Sequence, residues 1–282
     1  MSPKSVITSN SGTPEPLITV RNANATNYIQ PITAAPEVML DCAKSTFASG
    51  GKGLMVIFGT GKYLNTDDFD DISVQSFYGV WDWGDIWENK SGYTVAKTKS
   101  LEIFAANRKL SKVTDKSLLQ QTIAGQSGNW VVLSNNVVDW FDPDANTGEH
   151  MGWYFDLPGA GERGIREVSL RMGTAILIST TPSSTPCEAG GSSVLYQVNS
   201  CSGGRTDEPQ FDYNSDKKID NKDTIKLSPL PPLPPTGKKF DQILFEPIEI
   251  GDLLYLPDSE GNINPMLVPN NPTGMFFWRI ID

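Results

Sequence analysis

Histidine is nearly missing from this chain: His150 is the only one in 282 residues. A zinc site built on histidines is therefore excluded by count. A Ser-His-Asp triad would have to use His150. That residue closes the polar segment Asp144-Ala-Asn-Thr-Gly-Glu-His150, which reads as a surface turn. The nucleophile elbow Gly-x-Ser-x-Gly is absent too, because Gly190-Gly191-Ser192-Ser193-Val194 lacks the final glycine. Phe58-Gly59-Thr60-Gly61-Lys62-Tyr63 superficially resembles a phosphate loop. Val56 stands where that motif needs its first glycine, and Tyr63 follows the lysine. The segment reads as a strand end with a glycine turn. Asp139, Asp142, Asp144 and Glu149 leave a glycosidase carboxylate pair open, and surface acids explain them more simply.

Long apolar runs are also lacking. No stretch approaches the roughly 18 residues of a membrane span. The start, Met1-Ser2-Pro3-Lys4, has no apolar core of a signal peptide, so either the sequence is a mature fragment or export information lies elsewhere. Positive charge is in deficit, with 23 Lys and Arg against 33 Asp and Glu and a formal net charge of -10. Such a surface repels phosphate backbones and anionic lipid, so nucleic acid and membrane are not expected partners. It suits a protein that binds cations.

Cysteine is scarce: Cys42, Cys187 and Cys201. Cys187 and Cys201 flank the apolar run Val194-Leu195-Tyr196, as if clasping a hairpin. A disulfide there would close a loop of about 15 residues and contribute roughly 3 kcal/mol on the loop-entropy model. Two ordinary thiols are the alternative. Cys42 is then left over, either buried or paired with another chain.

Backbone punctuation is plentiful, with 25 Gly and 20 Pro. Short runs rich in aromatic and β-branched residues recur between turn signals. They are Gly53–Phe58, Phe77–Trp81, Trp130–Leu133, Trp153–Leu157, Ala175–Ser179, Val194–Val198 and Met275–Ile281. Lys116–Ala124 is the one fair helix candidate. Many short strands with few helices predict an all-β sandwich, barrel or propeller. Residues 1–14 read as a flexible N-terminal segment and 15–282 as the folded domain. Ser228-Pro-Leu-Pro-Pro-Leu-Pro-Pro-Thr-Gly237 cannot form a central strand and reads as polyproline II. A stiff connecting loop is favoured over a ligand for an aromatic groove.

The sharpest motif is Asp212-Tyr-Asn214-Ser-Asp216-Lys-Lys218-Ile219-Asp220-Asn-Lys-Asp223. Calcium takes six to eight oxygens, and a twelve-residue loop supplies them from positions 1, 3, 5, 7, 9 and 12. Those positions hold Asp212, Asn214, Asp216, Lys218, Asp220 and Asp223, with Lys218 offering its backbone carbonyl. Ile219 is expected to tuck into the core. Lys217 stands where glycine usually makes the sharp turn, and Asp223 replaces the usual Glu, as in dockerin loops. No apolar-periodic helix precedes Asp212, so this reads as a calcium staple within a long loop.

Several runs together resemble one family: Gln30–Pro36, Phe58–Leu64, Gln75–Asp82, Gly152–Pro158 continuing to Gly161-Glu162-Arg163, Cys187–Gly191 with its following strand, Gly203-Gly204-Arg205 and the Asp212 loop. Their order and spacing resemble the C-terminal propeller of the PilY/PilC type IV pilus tip-adhesin family, over about residues 15 to 280. The resemblance implies a modified β-propeller at the pilus tip or outer surface. It implies support of pilus biogenesis, control of extension against retraction through the calcium loop, twitching and adhesion. Implied partners are minor pilins, a host or surface receptor, or an N-terminal partner chain. The family's N-terminal von Willebrand-like domain and an Arg-Gly-Asp motif are not seen. At about 40–45 residues per blade the chain would make at most six, and long insertions reduce that to about four. An incomplete or split propeller, completed by a partner, is therefore expected. The runner-up readings are a quinone-cofactor propeller enzyme and a secreted carbohydrate-binding or hydrolytic module. The contiguous donors of the loop argue against the first, whose calcium ligands come from separate blades.

Overall fold

The computed structural model describes residues 18–20, 30–40, 42, 54–82, 101–102, 117–140, 147–183 and 190–269. These residues form sixteen strands and one 3-10 turn, Thr66–Asp68. The all-β expectation is met.

A five-stranded sheet runs β2 (Glu37–Leu40), β3 (Leu54–Gly59), β4 (Ser76–Asp82), β9 (His150–Asp156), β6 (Ser117–Gln121). Only the β6–β9 pair is parallel. A six-stranded sheet runs β10 (Ser169–Arg171), β11 (Thr174–Pro182), β12 (Gly191–Asn199), β13 (Gly237–Phe240), β8 (Trp130–Leu133), β7 (Ile123–Ser127). A three-stranded meander follows: β14 (Ile248–Ile250), β15 (Leu253–Pro257), β16 (Ile263–Leu267). β1 (Ile18–Thr19) and β5 (Leu101–Glu102) make a two-residue parallel pair. Among the described residues no sheet closes on itself, as expected of an incomplete propeller.

Six of the seven strand expectations fall on β3, β4, β8, β9, β11 and β12. The seventh, Met275–Ile281, lies outside the described residues. The helix expected over Lys116–Ala124 is a strand instead: β6 runs to Gln121 and β7 begins at Ile123. An isolated helix of nine residues is marginal in water. Here parallel pairing with β9 and burial of Leu118 and Gln121 decide the conformation. The proline run serves as a connector. Leu233 bridges Ile225 through two backbone hydrogen bonds of 2.7 and 3.0 Å, and the chain then enters β13.

Two apolar cores result. The larger lies between the five- and six-stranded sheets and holds Trp81, Trp153, Phe77, Phe155 and Tyr196. Trp153 is fully buried, and its indole N–H donates to the carbonyl of Ser200 at 2.9 Å. Its ring fills space that only glycines leave. A Cβ on Gly79 or Gly203 would fall 2.3 or 2.1 Å from its atoms. The smaller core joins β11 and β12 to the meander through Ile176, Ile178, Leu195, Phe211, Leu254 and Leu256.

The cysteine pairing differs from the expectation. Cys42 bonds Cys201, with Cα atoms 5.3 Å apart. Cys201 therefore does not pair with Cys187, which lies outside the described residues. Local spacing favoured the short loop, but the turn after β12 packs against Trp153, and that brings it to the chain following β2.

The meander has an unusual outer face. Side chains directly opposite each other in a sheet share a face. Ile248, Ile250, Leu253, Tyr255, Pro257, Ile263, Pro265 and Leu267 form one such set, all apolar or aromatic. Ile248, Ile250 and Ile263 are 58%, 63% and 63% exposed, whereas Leu254 and Leu256, on the opposite face, are buried.

Candidate functional site

The Asp212 loop begins and ends on buried side chains. Phe211 and Ile225 are buried in the protein, and Trp130 of β8 lies edge-on to Phe211 and to Tyr213 at 5.4 and 5.5 Å. Ile219, expected in the core, is only half-buried and belongs to neither core cluster. Flanking residues, not position 8, anchor the loop.

Within the loop each carboxylate caps backbone N–H groups. Asp212 accepts from Asp216 at 3.1 Å and Lys217 at 2.9 Å. The side-chain oxygen of Asn214 accepts from Asp216 at 2.9 Å, and Asp216 accepts from Lys218 at 3.0 Å. Asp220 accepts from Lys222 at 2.8 Å. Asp223 is fully buried and ties the ends together, accepting from Tyr213 at 2.7 Å, Asn214 at 3.1 Å and Asp220 at 2.9 Å. Ser215 and Lys217 take left-handed backbone at φ 61° and 67°. The sharp turn usually made by glycine is thus made here by lysine, at a steric cost.

Among the described residues no three His, Cys, Asp or Glu side chains are grouped as a metal site. The donor chemistry nevertheless fits a hard cation, because four aspartates and an asparagine stand at the ligating positions. An ionised carboxylate has about four lone-pair sites, so one that accepts an N–H retains capacity for an ion.

A trough borders the loop. One part, about 450 Å³, is lined by Trp130, Phe211, Asp212, Lys217, Lys238 and Met266 among others. A second part, about 370 Å³, shares Lys217 and Leu267 with the first and continues to Asp220 and Asp252. The ammonium of Lys238 sits 5.2 Å from the Trp130 ring centre and 5.3 Å from that of Phe240. Burial lowers the Lys238 pKa, and the nearby charge of Asp212 partly opposes this.

Several of the runs that carried the resemblance meet elsewhere, in a buried polar knot. The guanidinium of Arg163 donates to the carbonyls of Gly161 at 2.9 Å, Lys62 and Asp68 at 2.8 Å each, and Asp71 at 2.9 Å. Gly61 is backed against it: a Cβ there would lie 2.5 Å from that of Arg163. Glu162 accepts from Ser179, from Tyr196 at 3.3 Å and from the Gly159 N–H at 2.8 Å. Burial, then the Glu162 charge, raises the Tyr196 pKa well above its ordinary value. Gln30 takes the Tyr78 hydroxyl at 2.6 Å and donates to Val74 and Ser76. The lysine of Gly61-Lys62 pairs with buried Asp68 at 2.7 Å, so the glycine turn is structural. Sequence reasoning quoted these residues without assigning them a role. Two charged residues set between glycines, Gly161-Glu162-Arg163-Gly164, were the available signal.

His150 opens β9 half-buried, not in a turn, and its Nδ1 accepts from the Asp139 N–H at 3.1 Å. Burial lowers its pKa, and the charges of Asp139 and Glu149 oppose that. Asp142 and Asp144 lie outside the described residues.

The sequence of residues 3–122 matches the family model of the PilY1 β-propeller domain. The type IV pilus biogenesis factor PilY1 of Pseudomonas aeruginosa strain PAO1 is 31% identical over 199 residues, covering 68% of this chain and 16% of that protein. The chain is identified as PilY1-type. A PilY1 homolog of Xylella fastidiosa is 26% identical over 199 residues, 68% of this chain and 11% of that protein. The crystal structure of the P. aeruginosa PilY1 C-terminal domain superposes with a TM-score of 0.67 at 23% identity, over 93% of this chain and 48% of that one. This PilY1-type chain thus spans about a sixth of the PAO1 protein and about half of the solved domain. Among its described residues no helix is long and apolar enough to cross a membrane.

Proposed function

We propose that this chain is a calcium-binding module of a type IV pilus-associated assembly, acting at the cell surface by binding and assembly. Its relatives carry the name type IV pilus biogenesis factor, which supports the pilus association. The calcium reading rests on one observation above all: two of the donors close the loop, Asp212 by taking the Asp216 and Lys217 N–H groups beside left-handed Lys217, and Asp223 by taking those of Tyr213, Asn214 and Asp220. Asp212, Asn214, Asp216, Asp220 and Asp223, with the Lys218 carbonyl, hold the ion. The ion orders the loop over the meander and Trp130. The resemblance supports, as part of this proposal, a role in pilus extension against retraction, twitching and adhesion, with minor pilins or a surface receptor as partners. The outer face of the meander supports the view that further propeller sheet packs on this chain. Ile248, Ile250 and Ile263, exposed on that face and outside the trough, are what a blade lacking its neighbour presents.

Calorimetric titration of the chelated protein with calcium, beside Asp216→Ala, tests the site. Saturable one-site binding that the variant loses is expected. Absence of both heat and thermal shift in the unaltered chain would sink the calcium reading. In the source strain, Asp216→Ala is expected to change surface piliation and twitching without lowering the amount of protein. Unchanged piliation would refute a role for the loop in the pilus cycle.

A further inference from the structure

The trough between the Asp212 loop and the meander carries its cations on one wall only. The formal charge of the chain is -10, and between Lys239 and Arg279 there is no lysine or arginine. The meander wall therefore brings apolar side chains and Asp252 but no cation. Every cation of the trough comes from the opposite wall: Lys217 and Lys218 of the loop, and Lys238 of β13. Lys238 is held over Trp130, so its ammonium borders an aromatic surface.

We propose that this trough is a docking groove for an extended acidic peptide segment of a partner protein, with an aromatic or large aliphatic side chain beside a carboxylate, and that calcium in the loop enables the docking. The inference rests on the calcium reading above. Two features point to this occupant. First, the floor is formed by Trp130, Phe211 and Met266, and about 450 Å³ lies within the span of ligand pockets, roughly 300–1,000 Å³. It accommodates one large apolar side chain. Second, charge selects what stands beside that side chain. The loop holds four aspartates and three lysines, a net charge of -1. A divalent ion turns that to +1, while Lys238 and Asp252 cancel. The ion occupies the aspartates and leaves the lysines for a ligand. The sign change acts within one Debye length, about 8 Å at physiological salt, so it gates a carboxylate at the groove. A long polyanion is still repelled by the molecule as a whole. The loop is also one wall, through Asp212, Ser215 and Lys217, so an ion that orders the loop shapes the groove.

The test is fluorescence anisotropy on the intact chain with two labelled peptides. One alternates Phe with Asp and Glu; the other alternates Phe with Lys. In calcium the acidic peptide is expected to bind and the basic one not. Removing calcium with EGTA should weaken the acidic peptide at least tenfold. Lys238→Met keeps the stem over Trp130 and should weaken it about tenfold, while Lys226→Met, outside the trough, leaves it unchanged. Equal binding of the two peptides, no binding of the acidic one in calcium, or full affinity in Lys238→Met overturns the groove. Equal affinity in calcium and EGTA overturns the gating. Calcium binding is read separately by calorimetry: a chain that binds calcium but not the acidic peptide refutes the groove alone, whereas a chain that binds no calcium refutes the metal reading and the gating together.

Discussion

Breaking the disulfide is the perturbation with the largest expected effect on stability. Cys42 and Cys201 are 159 residues apart in sequence. On the loop-entropy model a closed loop of that length removes about 5 kcal/mol of denatured-state freedom, against roughly 3 kcal/mol for a loop of about 15 residues. The bond also has a local task. Cys201 belongs to the turn capped by Asn199, whose side chain accepts from the N–H groups of Cys201 at 2.9 Å and Ser202 at 3.1 Å. The same turn presents the Ser200 carbonyl and Gly203 to the Trp153 ring. Replacing Cys42 and Cys201 with Ser should lower urea stability by up to about 5 kcal/mol. It should also weaken the near-ultraviolet signal of buried Trp153. Non-reducing peptide mapping should find the Cys42 and Cys201 peptides linked. A Cys187–Cys201 crosslink in the unaltered chain, or a Cys42→Ser variant of full stability, would refute the pairing.

Arg163→Met should destabilise the chain by roughly 3–5 kcal/mol in urea denaturation, because it leaves four carbonyls without their charged donor. A loss below about 1 kcal/mol would mean that water replaces the guanidinium. Asp68 is held at a pKa of about 2, first by its hydrogen bond from Lys62 and then by the Leu64 N–H. Its folded value is depressed, so its stabilisation is present above the ordinary carboxylate pKa, near 3.8, and is lost as pH falls toward 2. Unaltered and Asp68→Asn proteins should therefore differ in denaturation midpoint at pH 6 and converge near pH 2; a constant difference across that range would refute the linkage.

What the sequence made legible was whatever repeats locally. The aromatic and β-branched runs are strands because their own residues suit a pleated, buried surface, and six of seven fall where expected. The twelve-residue loop stood out in the sequence because its candidate donors are contiguous. The misses are non-local. Lys116–Ala124 carried a weak helical pattern, yet β9, some thirty residues on, decides its state. The meander strands carry little aromatic signal, and β14 is only Ile248–Ile250. Cys201 had a near candidate and a far one, and spacing cannot rank them once a packed tryptophan fixes the turn. The family motifs were recognised without their purpose. Gly61 and Arg163 are a hundred residues apart, and only the fold shows that one makes room for the other.

Lys217 joins the loop's sequence to its energetics. A lysine in place of the turn glycine suggests weakened calcium binding, on the view that the ion must force the turn. Lys217 is left-handed, at φ 67°, with its N–H bonded to Asp212 at 2.9 Å. If such side-chain caps suffice to make the turn, the steric cost is carried by the ion-free loop as well as by the loaded one. Lys217→Gly would remove a strain of about 1–2 kcal/mol and add denatured-state entropy worth about 0.4–1 kcal/mol. The net is a gain of roughly 0.5–1 kcal/mol in folding stability. Calcium affinity should move by less than about threefold, because the strain is common to the ion-free and loaded loops. Parallel urea denaturation and calcium calorimetry separate the two effects. A tenfold or greater tightening in the variant, without the gain in ion-free stability, would show that calcium, and not the caps of Asp212 and Asp223, makes the turn.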